Sequence, residues 1–196
     1  MRYPAEQKSK THKQIVDAAA VALRANGLQG IGIAGLMSQL GLTHGGFYAH
    51  FKNRDALVIE ASACAASESL SRLTQAAANA PAGKEVAAML DFYLSPVHRD
   101  DPGHGCVLPA FASEVTRQSD PVRNAFTASL NMNLSKISQY MPAKDRKGRL
   151  AQAMALVSGM AGGVLIARAI NDPERSDLLL DSVRTQLLRM YDSWRA

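Results

Sequence analysis

Five side chains able to ligate a metal or move a proton crowd a short stretch of this 196-residue chain: His98, Asp100, Asp101, His104 and Cys106. Imidazole and thiolate suit zinc or copper, but these spacings match no established ligand pattern, so neither a metal nor a cofactor is expected. Cys106 close to His104 has two parts of an activated nucleophile. No oxyanion-hole motif or third orienting group accompanies them, so an enzyme is not expected. Two readings of the cluster stay open. Gly103 and Gly105 can form a turn that leaves Cys106 buried at a helix start. Alternatively Cys106, at the positive end of a helix dipole and near His98 and His104, is a reactive thiol that senses oxidants or electrophiles. Cys64, within Ala-Ser-Ala-Cys-Ala-Ala, reads as packing.

A second concentration lies near the N-terminus and is one of charge. Residues 1–54 hold seven cations (Arg2, Lys8, Lys10, Lys13, Arg24, Lys52, Arg54) against Glu6 and Asp17, whereas residues 55–196 hold fifteen of each sign. The whole net charge of +5 therefore sits in the first quarter of the chain. Such segregation suits a polyanion, either DNA or an anionic membrane surface. The 47% apolar composition supports a folded core, and two cysteines are too few for a disulfide scaffold. No apolar run reads as a membrane span and the N-terminus does not read as a secretory signal, so the expected location is the cytoplasm.

The elements that must position these groups read as helices throughout, with neither repeats nor strand alternation, so the expected fold class is all-α. Thr11 and Gln14 suggest a capping box for a first helix that stops at Asn26-Gly27. A short helix follows over about 33–40, Thr43 can cap a third over about 44–50, and Asn53 a long fourth to about Asn79. Beyond the break at Ala80 to Gly83, helices are predicted over about 84–97, 105–118, 120–140, 146–170 and 173–195. In the last two, Leu150, Met154, Val157, Ala161, Val164 and Arg168, then Leu180, Val183, Leu187, Met190 and Trp194, recur at steps of three and four. Beside them Gly159, Ala161, Gly162 and Gly163 keep one face small. An intramolecular core and a two-helix seam between subunits both fit this pattern, and the seam, over about 146–195, is the expectation.

Ile33 to Phe51 reads as two short helices joined by Gly41-Leu42-Thr43, the geometry of a helix-turn-helix whose second helix enters the major groove. Phe47 and Phe51, four apart, should face the core. His44, Gly45, Tyr48 and Ala49 are then left outside, with His50, Lys52 and Arg54 toward the end. Gly45 and Gly46 together cost a helix on the order of 2 kcal/mol relative to alanine. Either their missing side chains admit close approach to a nucleic acid, or they merely begin the helix loosely.

Gly41-Leu42-Thr43-His44-Gly45-Gly46-Phe47-Tyr48-Ala49-His50-Phe51-Lys52-Asn53-Arg54-Asp55-Ala56-Leu57 resembles the G-[VL]-[ST]-x-x-x-[LF]-Y-x-H-F-x-[NS]-[KR]-x-x-L signature of TetR/AcrR-type transcriptional regulators. Ala19, Gly27 and Leu36 are also in register, so the likeness spans about 11–60. It implies an N-terminal three-helix DNA-binding domain, 1–54, and a C-terminal helical domain, 55–196, for effector binding and dimerisation. It further implies phosphate contacts by Tyr48, His50 and Arg54 and base reading by His44, Gly45 and Ala49. Thr43, Gly46 and Lys52 complete the expected DNA-binding set. Gly32 departs from the usual Ser or Thr cap, Met37 from the usual alanine and Ala34 from a polar side chain. Gly105-Cys106-Val107-Leu108-Pro109-Ala110 resembles a segment of a subset of these regulators, some of which sense electrophiles through that cysteine.

The function expected is a homodimeric regulator, a repressor released from an inverted-repeat operator in double-stranded DNA by a small-molecule or electrophile signal. An apolar effector would be lined by Phe92, Tyr93, Phe111, Phe126, Met132, Tyr140 and Met154, beside Cys106 as sensor. The alternatives are a basic membrane-surface or partner-binding module and a small cysteine enzyme. Neither accounts for the signature.

Overall fold

The structure is a computed structural model that describes residues 5–195. Arg2 lies outside the described residues. Among those residues the fold is all-α, as expected: nine α-helices and four short 3-10 segments, without a strand. Helix α1 (Ala5–Asn26) ends where Gly27 turns to φ +60°. Helix α2 (Ile33–Gln39) is followed by a 3-10 segment over His44–Ala49, and α3 (Arg54–Ala78) starts where Asn53 Oδ1 accepts the Ala56 N–H at 2.9 Å.

Some expected boundaries move, each for a local reason. Helix α1 already runs through Thr11, because Ala5 to Lys10 are mostly good helix formers and nothing forces a start at the proposed box. The helix predicted over 84–97 is two, α4 (Glu85–Tyr93) and α5 (Pro96–Asp100). Pro96 disfavours a helical Ser95, whose hydroxyl instead caps α5 by accepting the His98 N–H at 3.2 Å. Helix α6 (Leu108–Val115) begins after Cys106, since Pro109 has no N–H and fits only the first turn. Helices α7 (Asp120–Ile137), α8 (Arg146–Ala169) and α9 (Pro173–Arg195) complete the chain.

Two apolar clusters form the core, and α3 runs through both. The first joins α1, α2, the His44–Ala49 segment and Leu57 to Ala66 with Val107, Phe111, Val115 and Val122. The second joins Leu73 and Ala77 to α4, the end of α7, α8 and α9. Polar struts tie the halves together. Arg24, only 1% exposed, donates from Nε to the Gly103 carbonyl at 2.5 Å and from Nη1 to Glu68 at 2.6 Å. Glu114 of α6 accepts the Leu28 N–H at 2.6 Å, directly beneath Gly27, where a Cβ would lie 2.7 Å from its carboxylate. Glu114→Ala should therefore lower stability by about 1–2 kcal/mol, as it strands a largely buried N–H. Denaturant titration checks this, and an unchanged midpoint would show the strut to be idle.

The α8 and α9 stripes serve in part as an intramolecular core. Val157, Val164, Leu180 and Leu187 are buried within the chain itself. A Cβ on Gly159 would lie 2.7 Å from Leu187, and one on Gly163 3.1 Å from Val183, so these glycines admit α9 of the same chain. Helix α8 is also long and apolar enough, by length and composition, to cross a membrane, contrary to the sequence reading. Its Gly and Ala content dilutes charge without forming a continuous large-residue run, and seven of its residues are buried among the protein's own helices.

Candidate nucleic-acid interface and ligand cavity

Leu40 to Thr43 turn the chain between α2 and the next segment, with Gly41 at φ +69° and the Leu42 N–H bonded to the Met37 carbonyl at 2.8 Å. Thr43 Oγ1 accepts the Gly46 N–H at 3.2 Å. The segment His44–Ala49 winds as a 3-10 helix rather than the expected α-helix. Two consecutive glycines weaken α-helix formation, and six residues offer few hydrogen bonds to offset that.

Phe47 and Phe51 are buried and stacked with centroids 5.3 Å apart, which fixes the rotation of the segment. Thr43, His44, Gly45, Tyr48, Ala49 and Lys52 consequently face solvent. Tyr48 is 61% exposed, unusual for so large a ring, and His44 meets it edge-on. The two glycines differ. A Cβ on Gly46 would meet Thr43 Oγ1 at 3.3 Å and Met37 Cε at 3.8 Å, so Gly46 accommodates the cap and the buried Met37. A Cβ on Gly45 would meet nothing within 4 Å, so no packing within the chain requires that glycine.

The remaining expected phosphate ligands are turned partly inward. Arg54 donates from Nη2 to the Leu28 carbonyl at 2.7 Å and from Nε to the Ile31 carbonyl at 3.3 Å, which ties the α1–α2 connection to α3. His50 Nδ1 is buried without a protein partner, and burial, then the neighbouring His12 and Lys8, hold its pKa below the usual histidine value. With Arg24 also internal, the exposed N-terminal cations among the described residues are Lys8, Lys10, Lys13 and Lys52. Lys13 is paired with Asp17 at 2.6 Å.

The 98–106 cluster is not drawn into one site. His104 is exposed and bonded to Asp101 at 3.0 Å, and Asp100 pairs with Arg99. His98 instead bridges two backbone groups: Nδ1–H donates to the Tyr93 carbonyl at 2.6 Å, and Nε2 accepts the Cys106 N–H at 3.0 Å. That pair of bonds requires the neutral imidazole. Burial is the main reason that its pKa lies below the ordinary 6.5, with Arg168 and Arg72 acting in the same direction and the Tyr93 carbonyl and Asp101 opposing. As pH falls below about 6.5, the unfolded chain gains this proton first, so stability should fall from neutral pH toward pH 5. An NMR titration placing the His98 pKa above 6.5 would contradict the assignment.

The sequence leaves two readings of Cys106 open, a buried packing thiol and a reactive one. It is buried and precedes the α6 start, and burial pushes its thiol pKa up despite smaller opposing effects from Tyr93, the Leu108 backbone, Arg168 and Arg24. Neutral His98 supplies no cation, and Gly105 gives room to the His98 ring, 2.8 Å from where its Cβ would be, rather than to the sulfur. These surroundings support the reading of Cys106 as a buried packing residue.

Cys106 nevertheless lines a cavity between α3, α6, α7 and α8, with about 50 Å³ open to the centres of water-sized molecules. Of the side chains expected around an effector, Tyr93 and Phe126 line it too, and Met154 lines a wider apolar groove on its outer side. Phe111 is fully buried in the other cluster, Met132 is exposed, and Phe92 and Tyr140 pack outside both spaces. Sequence reasoning missed Ser62, Ser69, Ser129 and Asn133, which also line the cavity. Their signal was polar side chains falling in phase with the apolar stripes of α3 and α7.

A short anchored segment that turns exposed groups outward from a two-helix unit defines the helix-turn-helix class of DNA-binding regulators. Residues 15–61 match the family profile described as bacterial regulatory proteins, tetR family. None of the curated proteins compared with the chain matches it by sequence. Among solved structures, the reduced form of NemR from E. coli is similar with a TM-score of 0.74 and 18% identity, over 91% of this chain and 95% of that one. A TetR transcriptional regulator from Chloroflexus aurantiacus is similar with a TM-score of 0.75 and 21% identity, over 93% and 94%. A TetR-family regulator from Streptomyces coelicolor gives 0.75 and 18%, over 96% and 97%. The sequence match to the family thus covers the N-terminal segment, and the likeness to these solved structures extends the fold over the rest of the chain.

Proposed function

We propose that this protein is a cytoplasmic homodimeric repressor that binds an inverted-repeat operator through residues 1–54 and leaves it when a small molecule occupies the helical part, 55–196. The observation that carries the DNA-binding reading is the unpacked Gly45 beside solvent-facing His44 and Tyr48 on a segment locked by buried Phe47 and Phe51. Nothing inside the chain accounts for that glycine, whereas the wall of a major groove would. His44, Gly45 and Ala49 are assigned to base edges. Thr43, Tyr48, Lys52 and the remaining N–H groups of Arg54 are assigned to phosphates, with Gly46 and His50 supporting them from behind.

Selection of duplexes from a random pool at moderate salt tests this reading. An inverted repeat should emerge, with half-sites about one helical turn apart or somewhat more. His44→Ala should change the preferred base at one position of each half-site, at about 1–3 kcal/mol, while Tyr48→Phe weakens all sequences alike. Gly45→Ala should weaken operator binding without lowering the melting temperature. Failure to enrich any sequence, together with preference for anionic vesicles, would favour the membrane-surface alternative.

The dimer is assigned to the outer face of α8. Met154, Leu165 and Ile166 are 43%, 50% and 53% exposed, and with the half-buried Ala161 and Gly162 they make the solvent-facing surface of α8 apolar. Two such surfaces packed about a two-fold axis would bury each other.

A further inference from the structure

The cavity contains two polar atoms that the protein leaves unpartnered. Tyr93 is 6% exposed, and its hydroxyl has no oxygen or nitrogen partner among the protein's atoms; its polar neighbour is the Cys106 thiol, a weak partner that does not meet hydrogen-bond geometry. Asn133 Oδ1 is likewise buried and unpartnered, while its Nδ2 is already committed to the Ala66 carbonyl at 3.2 Å. Ser69 is satisfied by the Ala65 and Gly105 carbonyls, and Ser62 by that of Ile59. One unpartnered buried donor and one unpartnered buried acceptor therefore line a space whose other walls are mainly aliphatic and aromatic, with the Ser129 hydroxyl and the Cys106 thiol as further polar groups. Buried groups of this kind are expensive to leave unmade, and a ligand that meets both is selected over one that meets neither.

We propose that the effector is a small neutral hydroxyl compound with an apolar body, of the phenol or alcohol class, whose oxygen accepts from Tyr93 Oη–H and donates to Asn133 Oδ1. This rests on the effector-responsive reading above and names the ligand's chemistry. A carboxylate is disfavoured because no Lys or Arg lines the cavity; Arg168, whose charge reaches Tyr93, donates to the His98 and Arg99 carbonyls. An anion there would be buried without a partner. A simple ketone would satisfy Tyr93 and leave Asn133 unmet. Desolvation holds the Tyr93 hydroxyl protonated well above the usual tyrosine range, so it remains a donor at all physiological pH values.

The cavity adjoins the outer groove, whose α8 wall of Met154, Ala161, Gly162 and Leu165 is the surface assigned above to the dimer, so the ligand site lies against that seam. Leu108, Phe126, Leu130, Leu134 and Val157 line both spaces and form the partition between them. These side chains separate the cavity from the groove, which has about 490 Å³. The room inside is small for an aromatic ring with the partition as it stands, so occupation must displace α6 or α7 side chains. Helix α6 carries Glu114, which holds the Leu28 N–H, and the loop before it carries Gly103, which holds Arg24. Occupation thus pushes on the two struts that tie this region to α1.

Calorimetric titration of the full chain with p-cresol, toluene and 4-methylbenzoate at neutral pH tests the proposal, with operator binding measured in parallel. p-Cresol should bind at least about tenfold more tightly than toluene, and the carboxylate not at all. Tyr93→Phe should abolish that preference while its melting temperature stays equal or rises, since it deletes an unpartnered hydroxyl. Equal affinity for toluene, tighter binding of the carboxylate, an undiminished preference in Tyr93→Phe, or no binding of any probe would overturn it. If p-cresol binds as expected but no operator can be selected, the regulatory reading falls and the ligand site stands. If an operator is bound but the hydroxyl preference is missing, the regulator stands and the ligand site falls.

Discussion

Glu68→Ala should destabilise the protein by about 3 kcal/mol, a loss of roughly 6–12 °C in melting temperature for a chain of this size. The Arg24 guanidinium that Glu68 neutralises is 1% exposed, and arginine cannot shed its charge when buried. After the substitution it retains only the Gly103 carbonyl, a neutral acceptor, at 2.5 Å. Glu68 itself is 42% exposed, so the reverse change, Arg24→Met, should cost less: the carboxylate can hydrate and the methionine refills the space. The asymmetry is the diagnostic outcome. Chemical denaturation of both variants measures it, and equal, small losses would mean that the ion pair is dispensable. Because the pair joins α1, α3 and the loop ahead of Cys106, Glu68→Ala should also weaken operator binding at temperatures where the chain is still folded.

Leu165→Glu combined with Ile166→Lys should raise the self-association constant for dissociation by about a thousandfold or more, with operator binding lost in parallel. Both side chains are half-exposed on α8, so the substitutions leave the core of the single chain intact, and an isologous interface presents each change twice. Leu187 provides the contrast. It is 9% exposed and fills the notch over Gly159, so Leu187→Glu should unfold the chain rather than merely dissociate it. Sedimentation and thermal melting separate the two effects. A double variant that remains dimeric at micromolar concentration would move the interface elsewhere on the surface.

Much of the DNA-facing half was legible in the sequence because its determinants are local. Asn53 and Thr43 cap the segments that follow them, Gly27 and Gly41 supply the turns, and the four-residue spacing of Phe47 and Phe51 turns both inward. Each depends on neighbours only a few positions away. The fold class followed likewise from helical periodicity. Even here the 3-10 winding of His44–Ala49 and the inward turn of Arg54 toward the Leu28 and Ile31 carbonyls were not legible. The first depends on how little the short segment gains from the α form. The second depends on carbonyls left over at the end of a different helix.

In the larger half the apolar stripes of α8 and α9 follow from residue spacing alone, whereas which face meets what depends on helices brought together from distant parts of the chain. A residue repeat of three and four is the same whether the partner helix belongs to the chain or to a second copy; Leu187 seated on Gly159 and Leu165 left in solvent distinguish them. The cysteine shows the same limit. Adjacent histidines and glycines implied an activated thiol, yet burial and the neutral bridge of His98 leave it protonated, because desolvation depends on helices that are distant in sequence. The cavity was invisible for that reason too. Tyr93 and Asn133 are ordinary helix residues until α4 and α7 close around a space that meets neither of their free oxygens.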